Sequence, residues 1–151
     1  MSLPFDLAAL SRVPDVASPE LSAVDAADRL ILDESAAARA MAGEGTIVVI
    51  GDAYGALTLG AAAEGARGIR VQQDALTGER ALANNAETFG LSGTFESMAL
   101  DAELLRDARV VLLRLPRSLE ELEDIAAVIA AHAAPDVEVF AGGRIKHMTI
   151  A

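Results

Sequence analysis

The chain has 151 residues, of which 52% are hydrophobic and 23% charged. This composition allows one domain with a real core and excludes an intrinsically disordered chain. Twelve basic residues against 23 acidic ones give a net charge of −11, which argues against a general polyanion binder, because phosphate binding depends on clustered Lys and Arg. The chain has no Cys, so a disulfide framework, a thiolate zinc site and a thiol nucleophile are also excluded.

The sequence carries no sign of membrane insertion or export. No uninterrupted apolar run approaches the roughly 20 residues that span a bilayer. The first ten residues contain Asp6 and no Lys or Arg, so they lack the basic region of a signal peptide. We therefore expect a soluble, cytoplasmic protein.

The N-terminal residues 1–19 contain three of the five prolines and have no clear hydrophobic period. We expect an extended lead-in here, anchored at best by Phe5, Leu7 and Leu10. The remaining residues, 20–151, are expected to form a single α/β domain.

The pattern becomes helical at Glu20. Ser18 followed by Pro19 is a plausible N-cap with proline at the first helical position, and Gly43 and Gly45 are expected to end the helix. Apolar residues recur near the helical period of 3.6, namely Leu21, Val24, Ala27, Leu30, Ile31 and Met41.

Five strands are predicted after this helix. Two of them, at 46–50 and 109–115, are continuous apolar runs typical of strands covered on both faces in a parallel sheet, and the one at 94–98 is weaker. The predicted strands are residues 46–50, 69–72, 94–98, 109–115 and 137–140. Helical segments are predicted at 56–64, 77–89 and 101–106, and from the N-cap Ser118 to His132. This alternation predicts a doubly wound, mostly parallel α/β sheet with right-handed crossovers.

The loop after the first strand is where a doubly wound sheet would bind a ligand. Its sequence, Gly51-Asp52-Ala53-Tyr54-Gly55, has two glycines at the wrong spacing for GxGxxG and a tyrosine where close approach is required. Gln73 stands where an acid would hold ribose hydroxyls. A tight structural turn is therefore the simpler interpretation, and a nucleotide or S-adenosylmethionine pocket is the alternative.

Other polar residues give weaker signals. His132 lies at a helix end, where a cation is favoured, and His147 lies near the terminus. No set of His, Asp and Glu has metal-ligand spacing, so no metal site is expected. No serine lies in a nucleophile elbow. The acidic run from Glu120 to Asp124 is most simply a solvated helix start.

Four cations are expected at or just beyond the carboxyl ends of strands four and five, which should be neighbours. These candidates for RNA contacts are Arg114, Arg117, Arg144 and Lys146. Such a patch could hold RNA phosphates, and arginine can do so with two donors. The alternative is ordinary solubilising charge, paired with Glu120 or Glu138.

Two segments, TIVVIGDAYGALTLGAAAEG and RVQQDALTGERALANNAETFGL, are similar to motif I and post-I of class I S-adenosylmethionine-dependent methyltransferases, with the key positions replaced. The chain more narrowly resembles the N-terminal, methyltransferase-like domain of the two-domain bacterial ribosomal RNA (guanine-N2)-methyltransferases. The resemblance runs from about Ala23 to His147, and its more specific stretches are DAYGAL and RLPRSLEELE.

This resemblance implies that S-adenosylmethionine and an Asn-Pro-Pro-aromatic motif belong to a downstream catalytic domain. Here strand four ends in Arg-Leu-Pro-Arg at 114–117, with one proline and no asparagine. The resemblance therefore implies a degenerate, non-catalytic duplicate without a cofactor, which helps to bind ribosomal RNA and supports the catalytic domain. Two alternatives remain, a free-standing methyltransferase and a structural or dimerisation module without RNA binding. In the former, degenerate cofactor positions would be Gly51, Asp52, Gly55 and Gln73.

The resemblance also implies a sheet that is truncated after strand five. We therefore expect strand five to be an edge strand with unpaired backbone groups, which recruit other chains unless charge or proline protects them. Glu138 alone is weak protection. Pairing with a second copy across a two-fold axis, or coverage by the proline-rich N-terminal segment, is the expected result.

Overall fold

Five parallel strands form a single sheet in the order β3-β2-β1-β4-β5. The computed structural model describes residues 4–15 and 23–143. The strands are β1 Ile47–Ile50, β2 Ile69–Gln72, β3 Phe95–Ser97, β4 Val110–Arg114 and β5 Glu138–Gly142. The helices are α1 Ala26–Met41, α2 Ala56–Ala63, α3 Leu76–Thr88, α4 Ala102–Leu105 and α5 Leu119–His132. The predicted doubly wound α/β fold is confirmed.

Strand β1 lies at the centre of the sheet, between β2 and β4. All four of its residues are buried, which explains why its sequence is continuously apolar rather than alternating. The chain moves outward from β1 to β2 and β3, and then returns to the other side of β1 with β4. This reversal makes the carboxyl ends of β1 and β4 the place where a doubly wound sheet forms a crevice.

Helices cover the two faces of the sheet. The face of Val49 and Leu112 packs in one apolar cluster with residues of α1, α2 and α3. The face of Val48 and Val111 packs in a second cluster with residues of α4 and α5. The core therefore lies in two layers, one on each side of the central strands.

The start of α1 differs from the sequence prediction. The helix begins at Ala26 rather than Glu20, and Asp25 is its N-cap instead of Ser18, which lies outside the described residues. Asp25 accepts from the backbone N–H of Asp28, and Asp28 in turn accepts from the backbone N–H of Asp25. This reciprocal capping box satisfies two donors that a helix start would otherwise leave unpaired.

Residues 4–15 are less extended than predicted. They contain one 3₁₀ turn at Leu7–Ala9, and the side chain of Leu10 is buried in the core. The ring of Phe5 packs edge-on against Phe89 just after α3, with ring centroids 5.3 Å apart. The anchoring residues are thus those expected, and this part of the segment lies against α3 and the turn after β1 rather than beside β5.

Within residues 4–15 and 23–143, no helix has the length and apolar character needed to cross a bilayer. The same residues contain no group of three or more His, Cys, Asp or Glu side chains that could hold a metal ion.

Candidate functional site

A cleft of about 580 Å³ opens at the carboxyl ends of β1, β2 and β4. Its walls are formed by the turn after β1 (51–54), the last residue of β2 with those after it (72–75) and the last residue of β4 with those after it (114–117), together with the first turns of α5. The cleft therefore lies where the topology predicts a ligand site. Its described charged residues are the five acids Asp15, Asp52, Asp74, Glu121 and Asp124 and the two arginines Arg114 and Arg117.

The carboxylate of Asp52 accepts hydrogen bonds at the start of α2. The helix begins after Gly55, which has a φ of +109° and no side chain to cap the first amides. The carboxylate of Asp52 instead accepts from the backbone N–H groups of Leu57 at 3.4 Å and Thr58 at 3.0 Å, and from the Thr58 hydroxyl at 2.6 Å. Burial raises the pKa of Asp52, while these donors act to lower it. The N–H groups of Leu57 and Thr58 at this helix start are thus paired within the protein.

Tyr54 joins the turn to the N-terminal segment. Its hydroxyl donates to the Asp15 carboxylate at 2.6 Å and accepts from Arg12 Nη2 at 2.8 Å. The Arg12 guanidinium also lies over the tyrosine ring, 4.9 Å from its centroid. Burial and the bond to Asp15 raise the pKa of Tyr54, so the hydroxyl keeps its proton. The ring is therefore a contact point for residues 12–15.

Asn85 of α3 holds the same segment at a second point. Its amide oxygen accepts from the backbone N–H of Ser11 at 2.9 Å, and its amide nitrogen donates to the carbonyls of Ser11 and Tyr54, both at 2.9 Å. The side chain is 3% exposed. One amide thus fixes the N-terminal segment, the turn and α3 to one another.

Helix α3 closes the turn from another side. A Cβ atom on Gly78 would lie 2.6 Å from the Ala53 carbonyl oxygen, so only glycine permits this approach. Gln73 Nε2 donates to the same carbonyl at 3.4 Å. Gln73 Oε1 and Arg12 Nε are buried without a hydrogen-bond partner among the described residues, which is the cost of packing polar side chains so closely around the turn.

Arg114 at the end of β4 is paired inward rather than with Glu120 or Glu138. Its guanidinium donates to both oxygens of Asp25 at 2.9 Å and to Asp28 at 2.6 Å. Its side chain is 20% exposed. These contacts raise the pKa of Arg114 and fasten the start of α1 to the end of β4.

The pKa values of the two acids that hold Arg114 are shifted in opposite directions. Asp25 is partly exposed, and the hydrogen bond from Arg114 lowers its pKa to about 2. Asp28 is 1% exposed, and burial, with the nearby charge of Asp52, raises its pKa to about 6 in spite of Arg114. Two carboxylates with opposite pKa shifts therefore share the guanidinium of Arg114.

The four cations predicted to form one patch do not share the same surroundings. Arg114 is held by two carboxylates, whereas Arg117 is exposed at the mouth of the cleft. Arg144 and Lys146 lie outside the described residues. His147 lies outside them as well, while His132 ends α5 as predicted.

Sequence reasoning missed the contacts of Arg12, Asp15 and Asn85, which join residues 31 to 74 positions apart. No local sequence pattern indicates contacts between residues that lie so far apart in the chain. It also missed the capping box of Asp25 and Asp28, although an acid three residues after an N-cap aspartate is a recognisable signal.

Comparison with known proteins places the chain in a family. The family model described as RLMG N-terminal domain matches residues 1–151. A ribosomal RNA large subunit methyltransferase G from Pseudomonas putida is 31% identical over 152 residues, which cover 98% of this chain and 39% of that relative. The chain thus spans about two fifths of the length of the curated relatives it matches.

Solved structures share the fold at low sequence identity. A Methanococcus maripaludis protein assigned as an S-adenosyl-L-methionine-dependent methyltransferase matches with a TM-score of 0.62 and 19% identity, over 75% of this chain and 54% of that one. Magnesium protoporphyrin IX methyltransferase from Synechocystis, with bound S-adenosylmethionine, matches with a TM-score of 0.54 and 17% identity, over 70% and 54%. The sheet is therefore that of the class I methyltransferases.

Proposed function

This chain belongs to the RLMG N-terminal domain family, and on that premise we propose that it is the non-catalytic domain of a ribosomal RNA (guanine-N2) methyltransferase. In this proposal it binds no S-adenosylmethionine. It supports a catalytic domain that lies in the remaining part of the relatives' length and contributes to contacts with ribosomal RNA. The cofactor and the methyl transfer belong to that other domain, and the RNA substrate implies a cytoplasmic location.

The observation that carries the proposal is the carboxylate of Asp52 at the start of α2. A helix N-terminus at the end of the first strand can receive an anionic group of a ligand, because its N–H groups are unpaired and its dipole favours negative charge. Here the N–H groups of Leu57 and Thr58 are paired with Asp52. A cofactor carboxylate placed there would lose those donors and meet a buried acid.

The surroundings of Asp52 support the same conclusion. Tyr54 and Asn85 hold residues 11–15 against the turn, and Gly78 packs on the Ala53 carbonyl. Gln73, which stands where a ribose-binding acid would be expected, donates to that carbonyl. The residues present therefore do not fit S-adenosylmethionine, and no step of methyl transfer is assigned to them.

The end of β4 also lacks the groups that would orient a guanine. The sequence there is Arg114-Leu115-Pro116-Arg117, without the asparagine or aromatic residue of the catalytic motif. Arg114 is already paired with Asp25 and Asp28. Of the described candidates for RNA contact, Arg117 is exposed, so the RNA contribution proposed here rests on it and on Arg144 and Lys146.

Calorimetric titration of the chain with S-adenosylmethionine tests the proposal. We expect no saturable heat at cofactor concentrations that saturate the longer protein, in which this chain is joined to the polypeptide that follows it in the relatives. The longer protein is the positive control, because it is expected to carry the cofactor domain. Saturable micromolar binding by the 151-residue chain would contradict the proposal.

A further inference from the structure

The side of α1 that points away from the core carries apolar side chains. At 100° per residue, the buried residues of this helix, among them Ile31, Ser35 and Arg39, lie together on one side. The opposite side carries four exposed apolar residues, which we call the α1 stripe, namely Ala26, Leu30, Ala37 and Met41. The stripe runs from the first residue of the helix to its last.

Two members of the α1 stripe are large and well exposed. The side chain of Leu30 is 57% exposed and that of Met41 is 89% exposed. The solvent side of a surface helix is normally polar, whereas this one places two large apolar side chains about three turns apart in one line. An apolar surface of this kind is typical of a region that contacts another polypeptide.

Two acids border the α1 stripe, one on each side. At 100° per residue, Asp33 lies about 60° from Leu30 in one direction around the helix, and Glu34 lies about 40° from it in the other. Both acids are exposed, and neither has an ion-pair partner among residues 4–15 and 23–143. A partner on the stripe therefore meets two uncompensated carboxylates, which favours lysine or arginine at the facing positions.

We propose that the α1 stripe is the docking surface for a helix of the catalytic domain in the longer protein, and that this helix carries lysine or arginine opposite Asp33 and Glu34. The inference rests on the proposed function, since it names the surface through which the chain contacts the domain that it supports. The matched region covers 39% of one relative's length, so polypeptide that could supply this helix lies outside it.

The spacing of the α1 stripe favours a helical partner. Its members follow one another at intervals of four, seven and four residues, which are the intervals of the side-chain ridges on a helix. Ala26 and Ala37 leave gaps beside Leu30 and Met41, so the ridges of a second helix can enter between them. A strand repeats every two residues and does not match this pattern.

The size of the α1 stripe favours a covalently joined partner over a second copy of the chain. The helix has 16 residues, so it is about 24 Å long, and one side of it cannot bury the roughly 800 Å² per partner that is typical of a stable free complex. A domain of the same polypeptide has a high effective concentration, so a smaller contact is sufficient. Antiparallel pairing with a second copy about the middle of the stripe would also place each acid beside its own copy.

The chain has no Cys, so single cysteines can report on access to the α1 stripe. Leu30→Cys and Ala37→Cys probe the stripe, and Ala83→Cys, at an exposed position of α3, is the control. Each variant is made in the 151-residue chain and in the longer protein, with any other cysteines of the latter replaced by serine. The rate of reaction with a thiol reagent is divided by the rate in denaturant, and circular dichroism checks that every variant is folded.

In the 151-residue chain we expect both stripe cysteines to react about as fast as Ala83→Cys. In the longer protein we expect their rates to fall at least about tenfold while that of the control is unchanged, because the docked helix must move away before the reagent can enter.

A charge reversal tests the chemistry of the docked helix. In the longer protein, adding Asp33→Lys to Leu30→Cys is expected to raise the labelling rate at least about threefold, because the new cation repels the basic residues of the partner. Adding Glu87→Lys, which reverses an exposed acid of α3, is the matched control and is expected to leave the rate unchanged.

Equal stripe rates in the two proteins would overturn the proposal, and so would protection that Asp33→Lys does not relieve. Slow labelling of the 151-residue chain would overturn it as well. If that protection grew with protein concentration, a second copy would be the occupant, and if it did not, residues of the chain itself would be. Binding of S-adenosylmethionine to the 151-residue chain would overturn the proposed function without changing the labelling rates, so the two failures are distinguishable.

Discussion

The turn after β1 and the α5–β5 notch, which is the exposed apolar surface formed by Leu119 of α5 and Val139 of β5, are built in opposite ways. The turn is surrounded by polar groups of the chain itself, since Asp52, Tyr54 and Asn85 each bond to other parts of the molecule. The notch presents apolar side chains such as Leu119 and Val139 to the surface. The turn is therefore filled from within the chain, whereas an exposed apolar surface such as the notch is typical of a region that contacts other polypeptide.

The largest expected effect on stability comes from removing the Asp52 carboxylate that caps the start of α2. Asp52→Ala removes the acceptor for Leu57, Thr58 and the Thr58 hydroxyl, in a position that is 3% exposed. Leaving these donors unpaired is expected to lower the free energy of unfolding by roughly 2–4 kcal/mol. Urea denaturation followed by circular dichroism measures the change.

Asp33→Ala is the matched control, because Asp33 is an exposed acid on α1 and its loss is expected to change stability by less than about 0.5 kcal/mol. Equal stability of the Asp52 and Asp33 variants would show that the turn does not depend on its internal carboxylate, and the contrast with the notch would disappear.

The second prediction concerns pH. The pKa of Asp28 is raised to about 6 from an ordinary value of 3.8, so between these values the folded protein binds a proton that the unfolded chain has released. The free energy of unfolding contributed by this residue therefore falls as the pH rises from about 4 to 6, by roughly 1–3 kcal/mol. In Asp28→Asn this fall is expected to be absent.

The contribution of Asp25 has the opposite sign and a different range. Its pKa is lowered to about 2, so its stabilisation is present above about pH 4 and is lost as the pH falls toward 2.

Urea denaturation of the wild type and Asp28→Asn at several pH values isolates the contribution of Asp28 as a difference. An unchanged slope between pH 4 and 6 in the variant would assign the titration to another group.

The third prediction weakens the contact between the turn and the N-terminal segment. Tyr54→Phe removes the hydroxyl that bonds to Arg12 and Asp15 but keeps the ring beneath the guanidinium. We expect a loss of about 1 kcal/mol in the free energy of unfolding and faster amide exchange in residues 11–13.

Asn84→Ala is the comparison variant for Tyr54→Phe, because it removes one exposed bond of 3.3 Å to the Val13 carbonyl. Its effect on the exchange of residues 11–13 is expected to be smaller. If the two variants behave alike, Tyr54 does not hold the segment, and its ring only fills space beside the turn.

Local patterns were sufficient to predict most of the fold. Continuous apolar runs predicted β1 and β4, because a strand buried on both faces needs apolar residues at each position. Strand β2 has the predicted bounds Ile69–Gln72. The start of α1 was misplaced because Ser18 and Pro19 are a strong local signal. The helix instead begins where Asp25 and Asp28 meet Arg114, a residue 86 positions further along the chain.

The candidate site was predicted less completely for the same reason. The sequence predicts that Asp52 and Tyr54 do not suit a cofactor-binding turn, but it does not indicate which groups they bind. Those partners, Arg12 and Asp15 for Tyr54, come from a segment without periodicity. Arg114 was predicted as a surface cation because its pairing depends on how α1 crosses the end of β4, and spacing along the chain does not contain that information.

The smallest expected effect concerns RNA and uses two arginines that flank the same strand. Arg117 is exposed just beyond the carboxyl end of β4, whereas Arg109 precedes the strand at the opposite edge of the sheet, 60% exposed and 3.9 Å from Asp136. In the longer protein, Arg117→Glu is expected to weaken binding to ribosomal RNA fragments by a few-fold. It should also reduce the slope of log affinity against log salt by about one, which is the slope of a single phosphate contact.

Arg109→Glu changes the net charge equally, so an effect of charge alone would appear in both variants. Equal affinities and equal salt slopes for the two variants would show that Arg117 does not contact RNA. The turn region would then contribute to the protein only through its packing.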